Sequence, residues 1–114
     1  MDRETTIESL KRQVNEFRDA RGWLKFDTPR SLAISISIEA AELLEHFQWK
    51  TDEQMLEALK DRTIKENICE ELADVIIYCL GFSDVLDIDV SQAVEQKLRK
   101  NGEKYPVAGA KLAA

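Results

Sequence analysis

The chain has 114 residues and a mass of 13.1 kDa, which is the size of one domain. Its four glycines and two prolines are too few for a β-sandwich, a barrel or a glycine-rich phosphate loop. Sixteen basic and 22 acidic residues give a net charge of −6. This balance argues against a partner that is a nucleic-acid polymer, because cationic contacts to phosphate supply most of that affinity.

The sequence shows no segment that would place the protein in a membrane. No apolar run approaches the ~18 residues of a membrane span, and the charged start, Met1 to Glu4, lacks the apolar stretch of a signal peptide. Cys69 and Cys79 fit no metal or redox spacing and are interpreted as core thiols in a reducing compartment. We therefore expect a cytoplasmic protein with no membrane partner.

The first predicted helix begins at a Thr5 or Thr6 cap and runs to about Ala20, with apolar residues at steps of three and four. Residues 21–27 then form a connection that contains glycine. This connection also carries Trp23, a large aromatic residue that is unusual in a loop exposed only to solvent.

The second predicted helix begins with an N-cap and a proline, Thr28 and Pro29, and runs to about Phe47. Isoleucines alternate with serines over residues 34–38, a pattern that also suits a strand. The run of helix-forming residues over 39–45 continues without a break, and we therefore predict a helix.

Three more helices are predicted in the second half of the chain. A short one starts at Thr51 or Asp52 and ends at residue 59 or 60, a long one covers roughly 63–86, and the last follows an Asp89 cap to about Asn101. The predicted fold is an all-α bundle of four to five helices, as one domain over residues 1–105 with a disordered tail over 106–114. The side chains of the long helix expected to face inward are Ile64, Ile68, Leu72, Val75, Ile76 and Cys79.

Two acidic pairs lie in the middle of strongly apolar helices. Glu39 and Glu42 are three residues apart, as are Glu71 and Asp74, and side chains at this spacing are neighbours on a helix. If the two helices pack with these acidic pairs facing each other, four carboxylates converge between them. A hard divalent cation is then needed to stabilise the four negative charges. Magnesium is the expected cofactor, with manganese as a possible substitute. The alternative is that these are ordinary solvated acids, as we interpret Glu45.

The order of these motifs resembles the all-α nucleoside triphosphate pyrophosphatases of the MazG-like family. Glu39-x-x-Glu42 precedes Glu71-x-x-Asp74, and a pattern of Lys, Asn and Lys-Tyr-Pro follows near the end. Upstream, the sequence is similar to the dCTP pyrophosphatase branch of that family, and the resemblance covers roughly residues 5–107. The match near the end rests on Lys97, Asn101, Lys104, Tyr105 and Pro106. The upstream match rests on Arg21, Gly22, Trp23, Phe26, Pro29, Arg30 and Leu32.

The resemblance implies hydrolysis of a nucleoside triphosphate between the α and β phosphates, giving a monophosphate and pyrophosphate. It implies that Glu39, Glu42, Glu71 and Asp74 hold Mg²⁺. It also implies a homodimer or homotetramer with sites at subunit interfaces, and a role in removing non-canonical or surplus nucleotides.

Roles for further residues follow from this resemblance together with their chemistry. Glu42 is the candidate catalytic base that takes the proton of the attacking water. Trp23 and Trp49 are the candidates for stacking on the base, which gives affinity with little selectivity. Val14 stands where the dCTP-specific branch has a histidine, which weakens the case for a cytosine preference. The candidates for binding phosphate or sugar are Arg30, Tyr78, Lys97, Asn101 and Lys104.

The two tryptophans lie just outside the ends of a helix about 30 Å long. Either the loop that holds Trp23 folds back along this helix, or the second tryptophan comes from a neighbouring chain, which we favour. Two other functions stay open, a phosphoribosyl-ATP pyrophosphohydrolase and a non-catalytic helical interaction module. The two tryptophans argue against the first and the presence of all four acids argues against the second.

Overall fold

The computed structural model describes residues 1–108, which form five α-helices, one 3₁₀ turn and no strand. The all-α prediction is confirmed. Residues 106–108 lie outside any helix, and the rest of the predicted tail, residues 109–114, lies outside the described residues. The helices are α1 (Ile7–Ala20), α2 (Pro29–Glu45), α3 (Asp52–Ala58), α4 (Arg62–Val85) and α5 (Val90–Lys104), with the 3₁₀ turn at Leu24–Phe26.

Local capping signals determine where the helices begin. Four side chains accept a hydrogen bond from the backbone amide three residues later, as predicted from the sequence: Thr6, Thr28, Thr51 and Asp89. At the second and third of these caps, the side chains of residues 31 and 54 bond back to the cap backbone and complete capping boxes. Helix α4 begins one residue earlier than predicted, because Asp61 caps it.

The helix ends differ more from the predictions. Helix α2 ends at Glu45, two residues before the predicted end, because residues 46–49 form a turn. Helix α5 continues to Lys104, three residues beyond Asn101, since Gly102 lowers helix propensity without stopping the helix.

The packing centres on α2 and α4, with α1 against α4, whereas α3 and α5 pack only sparsely. Leu32 of α2 is 2% exposed and lies against α4 at Gly81, where an added Cβ would sit 3.9 Å from its Cδ2 atom. Within residues 1–108, the other buried side chains are Met55, Leu80 and Ser83. Among the described helices, none is both long and apolar enough to cross a membrane.

The predicted inner face of α4 is wrong in part. Leu72, Ile76 and Cys79 are exposed, and the other three predicted positions are only half-buried. Helix α4 packs instead through a stripe that contains Glu71 and Tyr78, which rotates the apolar side chains away from α2. Cys69 is exposed as well, so the interpretation of the two cysteines as core thiols is also wrong.

Candidate metal centre and its surroundings

Three carboxylates converge where α2 packs against α4. One oxygen from each of Glu39, Glu42 and Glu71 lies within 4.8 Å of the others. Two come from successive turns of one helix face and the third from the facing helix, so that the predicted convergence is confirmed for these three. No other such trio of Asp, Glu, His or Cys side chains occurs within residues 1–108.

Asp74 is half-buried on the same side of α4, outside this closest group. Its negative charge nevertheless raises the pKa of both Glu39 and Glu71. The carboxylate therefore acts on the cluster through space, and its role as a fourth ligand stays a prediction.

The electrostatics of the cluster favour a bound cation. Desolvation raises the pKa of Glu39 and of Glu71, and the neighbouring Glu42 raises both further. One oxygen of each, Oε2 of Glu39 and Oε2 of Glu71, is buried and has no hydrogen-bond partner. A buried acceptor without a partner destabilises the folded state. A hard divalent cation would satisfy these oxygens, since carboxylates are its preferred ligands.

His46 lies at the C-terminal cap of α2 and is half-buried. Desolvation and the neighbouring Glu42 raise the pKa of Glu71, and a positive charge on His46 acts in the opposite direction. The sequence favours a surface histidine at this position, with metal ligation as the alternative. No nitrogen of His46 joins the three converging oxygens, so the described site is made of oxygen atoms.

A second group of side chains lies beside the cluster along α4. Tyr78 is four residues beyond Asp74 and therefore about one turn further along the same face. The guanidinium carbon of Arg18, in the last turn of α1, lies 5.4 Å from the centroid of the Tyr78 ring and 5.5 Å from that of Trp23. Arg18 also donates from Nε and Nη2 to the two carboxylate oxygens of Asp27, at 2.6 and 2.5 Å.

Sequence reasoning missed Arg18 and Asp27. Their side chains are 13% and 5% exposed, so the pair is largely buried, and the hydrogen bond to Asp27 raises the pKa of Arg18. The two residues are nine apart and lie on either side of a turn. Opposite charges at this sequence separation are common in any charged sequence. Only the folded connection between α1 and α2 shows that these two residues pair.

The two tryptophans have different surroundings. Trp23 is 42% exposed, and Phe17 meets its ring edge-on with the centroids 6.0 Å apart. Trp49 follows the end of α2 and is 85% exposed, with no aromatic or cationic partner among the described residues. Whether both flank one base stays a prediction.

No hydrogen bond or ion pair within residues 1–108 joins the predicted phosphate-binding residues to the acids. Arg30 is exposed in the first turn of α2. Lys97 and Lys104 are exposed and Asn101 is half-buried on α5, a helix that takes no part in the packing of α2 with α4. The proposed contacts of these residues with phosphate stay predictions.

The fold and the acids together define an all-helical protein with a candidate centre for a divalent cation between two packed helices. Residues 34–113 match the sequence model of the MazG-like family. The chain belongs to this family.

Similar proteins include dCTP pyrophosphatase 1 of Mus musculus, 36% identical over 104 residues that make up 91% of this chain and 61% of that protein. The human dCTP pyrophosphatase 1 is 35% identical over 103 residues, 90% of this chain and 61% of that protein. The chain thus spans about three fifths of the length of these relatives. The fold also matches the crystal structure of a pyrophosphatase from Archaeoglobus fulgidus, with 51% identity and a TM-score of 0.80, over 87% of this chain and 91% of that one.

Proposed function

We propose that this protein is a magnesium-dependent nucleoside triphosphate pyrophosphohydrolase, which cleaves the α–β phosphoanhydride to a monophosphate and pyrophosphate. The observation that carries the proposal is the convergence of Glu39, Glu42 and Glu71, with two buried oxygens that have no partner. The names of the relatives, dCTP pyrophosphatase 1 and a pyrophosphatase, support the same reaction.

The four acids would hold the ion, Glu39 and Glu42 from α2 and Glu71 and Asp74 from α4. Magnesium supplies positive charge against the phosphate oxygens at such a site. Glu42 takes the proton of a water molecule while the water oxygen forms a bond to phosphorus and the bond from phosphorus to the bridging oxygen breaks. The bridging oxygen leaves with the electron pair of that bond.

The remaining residues would bind the rest of the nucleotide. Trp23 and Trp49 stack on the base, and Tyr78 bonds the sugar or a phosphate. Cationic and amide side chains suit the polyphosphate, because they donate charge-assisted hydrogen bonds to its oxygens. These side chains are Arg30, Lys97, Asn101 and Lys104. Since three of them, Lys97, Asn101 and Lys104, lie on the sparsely packed α5, we propose that a homodimer or homotetramer completes the site.

The substrate is a nucleoside triphosphate, and the cellular role is the removal of surplus or non-canonical nucleotides in the cytoplasm. The relatives named dCTP pyrophosphatase make dCTP the first substrate to test. Val14 has no hydrogen-bonding side-chain atom where that branch carries a histidine, so selectivity for cytosine would have to come from other groups.

The test is pyrophosphate release from a panel of ribo- and deoxynucleoside triphosphates, modified nucleotides and phosphoribosyl-ATP. With Mg²⁺ present, Glu42→Gln and Asp74→Asn should each lower kcat at least ~100-fold, because each removes one charge from the reacting centre. The matched control is Glu45→Gln, an exposed acid of the same helix as Glu42. Near-normal turnover in both site variants would contradict the proposal, as would the absence of pyrophosphate with every nucleotide.

A further inference from the structure

We propose that Arg18 is a positioning residue of the nucleotide site, which holds Trp23 and Tyr78 in a fixed relation while Asp27 holds Arg18. The inference rests on the proposed function, in which those two aromatic residues bind the nucleotide. It adds two residues, Arg18 and Asp27, for which the sequence motifs give no role.

The geometry connects three separate parts of the chain through one guanidinium group. Arg18 belongs to the last turn of α1, Trp23 and Asp27 flank the 3₁₀ turn, and Tyr78 lies on α4. The Cζ atom of Arg18 is 5.5 Å from one ring centroid and 5.4 Å from the other. Both distances fall within the ~6 Å range of cation–π contacts.

An arginine suits this position because its guanidinium is planar. The edge formed by Nε and Nη2 binds both oxygens of Asp27, at 2.6 and 2.5 Å, and aromatic rings can still approach the group. A lysine has the charge but neither the two-pronged edge nor the flat surface. The paired side chains are largely shielded from water, so the arrangement is more firmly fixed than an exposed ion pair.

The location links this arrangement to the acids. Tyr78 follows Asp74 by one helical turn, and Asp74 acts electrostatically on Glu39 and Glu71. A nucleotide whose phosphates reach the acids would therefore have its sugar and base near Tyr78 and Trp23. Without Arg18, the contact that Trp23 keeps is the edge-on one with Phe17, and its ring is held less firmly. Fixing the ring when the nucleotide binds then costs free energy, which weakens binding.

The test uses Trp49→Phe as the background, in which Trp23 is the single tryptophan. In this background, Arg18→Lys keeps the charge, and Asp27→Asn keeps the shape of the acceptor. Quenching of Trp23 fluorescence by acrylamide reports how firmly the ring is held. The dissociation constants of the four α,β-imido deoxynucleoside triphosphates with Mg²⁺ report binding without hydrolysis. The matched control is Arg12→Met, at an exposed arginine of the same helix whose side chain makes no hydrogen bond or ring contact with the described residues.

Arg18→Lys and Asp27→Asn should each raise the acrylamide quenching constant of Trp23 about twofold and the nucleotide dissociation constants about tenfold. They should change kcat less than about threefold, because positioning acts on binding. The control should change neither quantity. Unchanged quenching, or unchanged nucleotide affinity, in Arg18→Lys would overturn the inference, and this variant decides the result if Asp27→Asn fails to fold. An unmodified protein that binds but hydrolyses no triphosphate would overturn the proposed reaction alone, because both readouts are independent of turnover.

Discussion

At the scale of single residues, the acidic cluster is a local source of instability in the metal-free protein. Desolvation and like charges raise the pKa of Glu39 and Glu71, and two of their oxygens are buried without a partner. A site of this kind is stabilised by the cation that it binds, because binding to the folded state alone shifts the folding equilibrium.

The raised pKa values determine whether the stability of the metal-free protein rises or falls with pH. Folded Glu39 and Glu71 bind protons more tightly than the unfolded chain does, so the metal-free protein should lose stability as pH rises from the ordinary pKa of 4.5 through the raised values. Denaturant unfolding in EDTA, at fixed protein concentration, measures this slope. Glu71→Gln should reduce it and raise the stability above pH 5, whereas the adjacent, exposed Glu70→Gln should not. Equal slopes in both variants would contradict this account of the cluster.

The sequence allows the acids of the site to be predicted but not their surroundings. Glu39, Glu42 and Glu71 could be found because helix periodicity alone places residues three apart side by side. Arg18 could not, because its contacts with Asp27, Trp23 and Tyr78 depend on how the connection after α1 folds back onto α4.

At the scale of helices, the starts were predictable because a cap is a local interaction between residues two or three apart. Burial was harder to predict. Periodicity shows which residues of α4 share a face, but not which face meets another helix. Leu72 and Ile76 share a face with Cys79 as expected, yet the face that meets α2 carries Glu71 and Tyr78.

Two glycines of these elements should respond oppositely to the same substitution. Gly81 lies inside α4, and the Cβ of Gly81→Ala would lie 3.9 Å from Leu32 of α2, an ordinary van der Waals distance. This substitution should stabilise the protein by about 1 kcal/mol, because alanine has a higher helix propensity than glycine. Gly22 has a φ of 69° with open space around it. Gly22→Ala should destabilise the protein by about 1 kcal/mol, because an L side chain strains that conformation. Thermal and denaturant unfolding measure both effects, and a destabilised Gly81→Ala or a stabilised Gly22→Ala would contradict the described packing.

At the scale of the whole molecule, the chain exposes 9465 Å², whereas a folded monomer of 13.1 kDa exposes about 6,400 Å². The excess of about 3,000 Å² is larger than the ~800 Å² that each partner buries in a standard protein interface. Part of it is apolar: Val94 and Leu98, one turn apart on the sparsely packed α5, are 51% and 63% exposed. Exposed apolar surface of this extent is typical of subunits that associate.

We expect light scattering at micromolar concentration to give at least twice the chain mass of 13.1 kDa. Replacing Val94 and Leu98 together with glutamate should lower the measured mass, because charges are disfavoured in an apolar interface. Glu95→Gln, between them and also exposed, is the control. A fully active monomer of the unmodified protein would show that the site needs no second chain.

The most direct test of the central claim is ³¹P NMR of dCTP incubated with the protein and Mg²⁺. Hydrolysis at the acidic cluster predicts resonances of dCMP and pyrophosphate in equal amounts, with neither product in EDTA or with Glu71→Gln, and with both retained in Glu70→Gln. Formation of dCDP and orthophosphate instead would contradict cleavage of the α–β bond. Equal rates in Glu71→Gln and the unmodified protein would contradict the assignment of the reaction to the cluster of Glu39, Glu42 and Glu71.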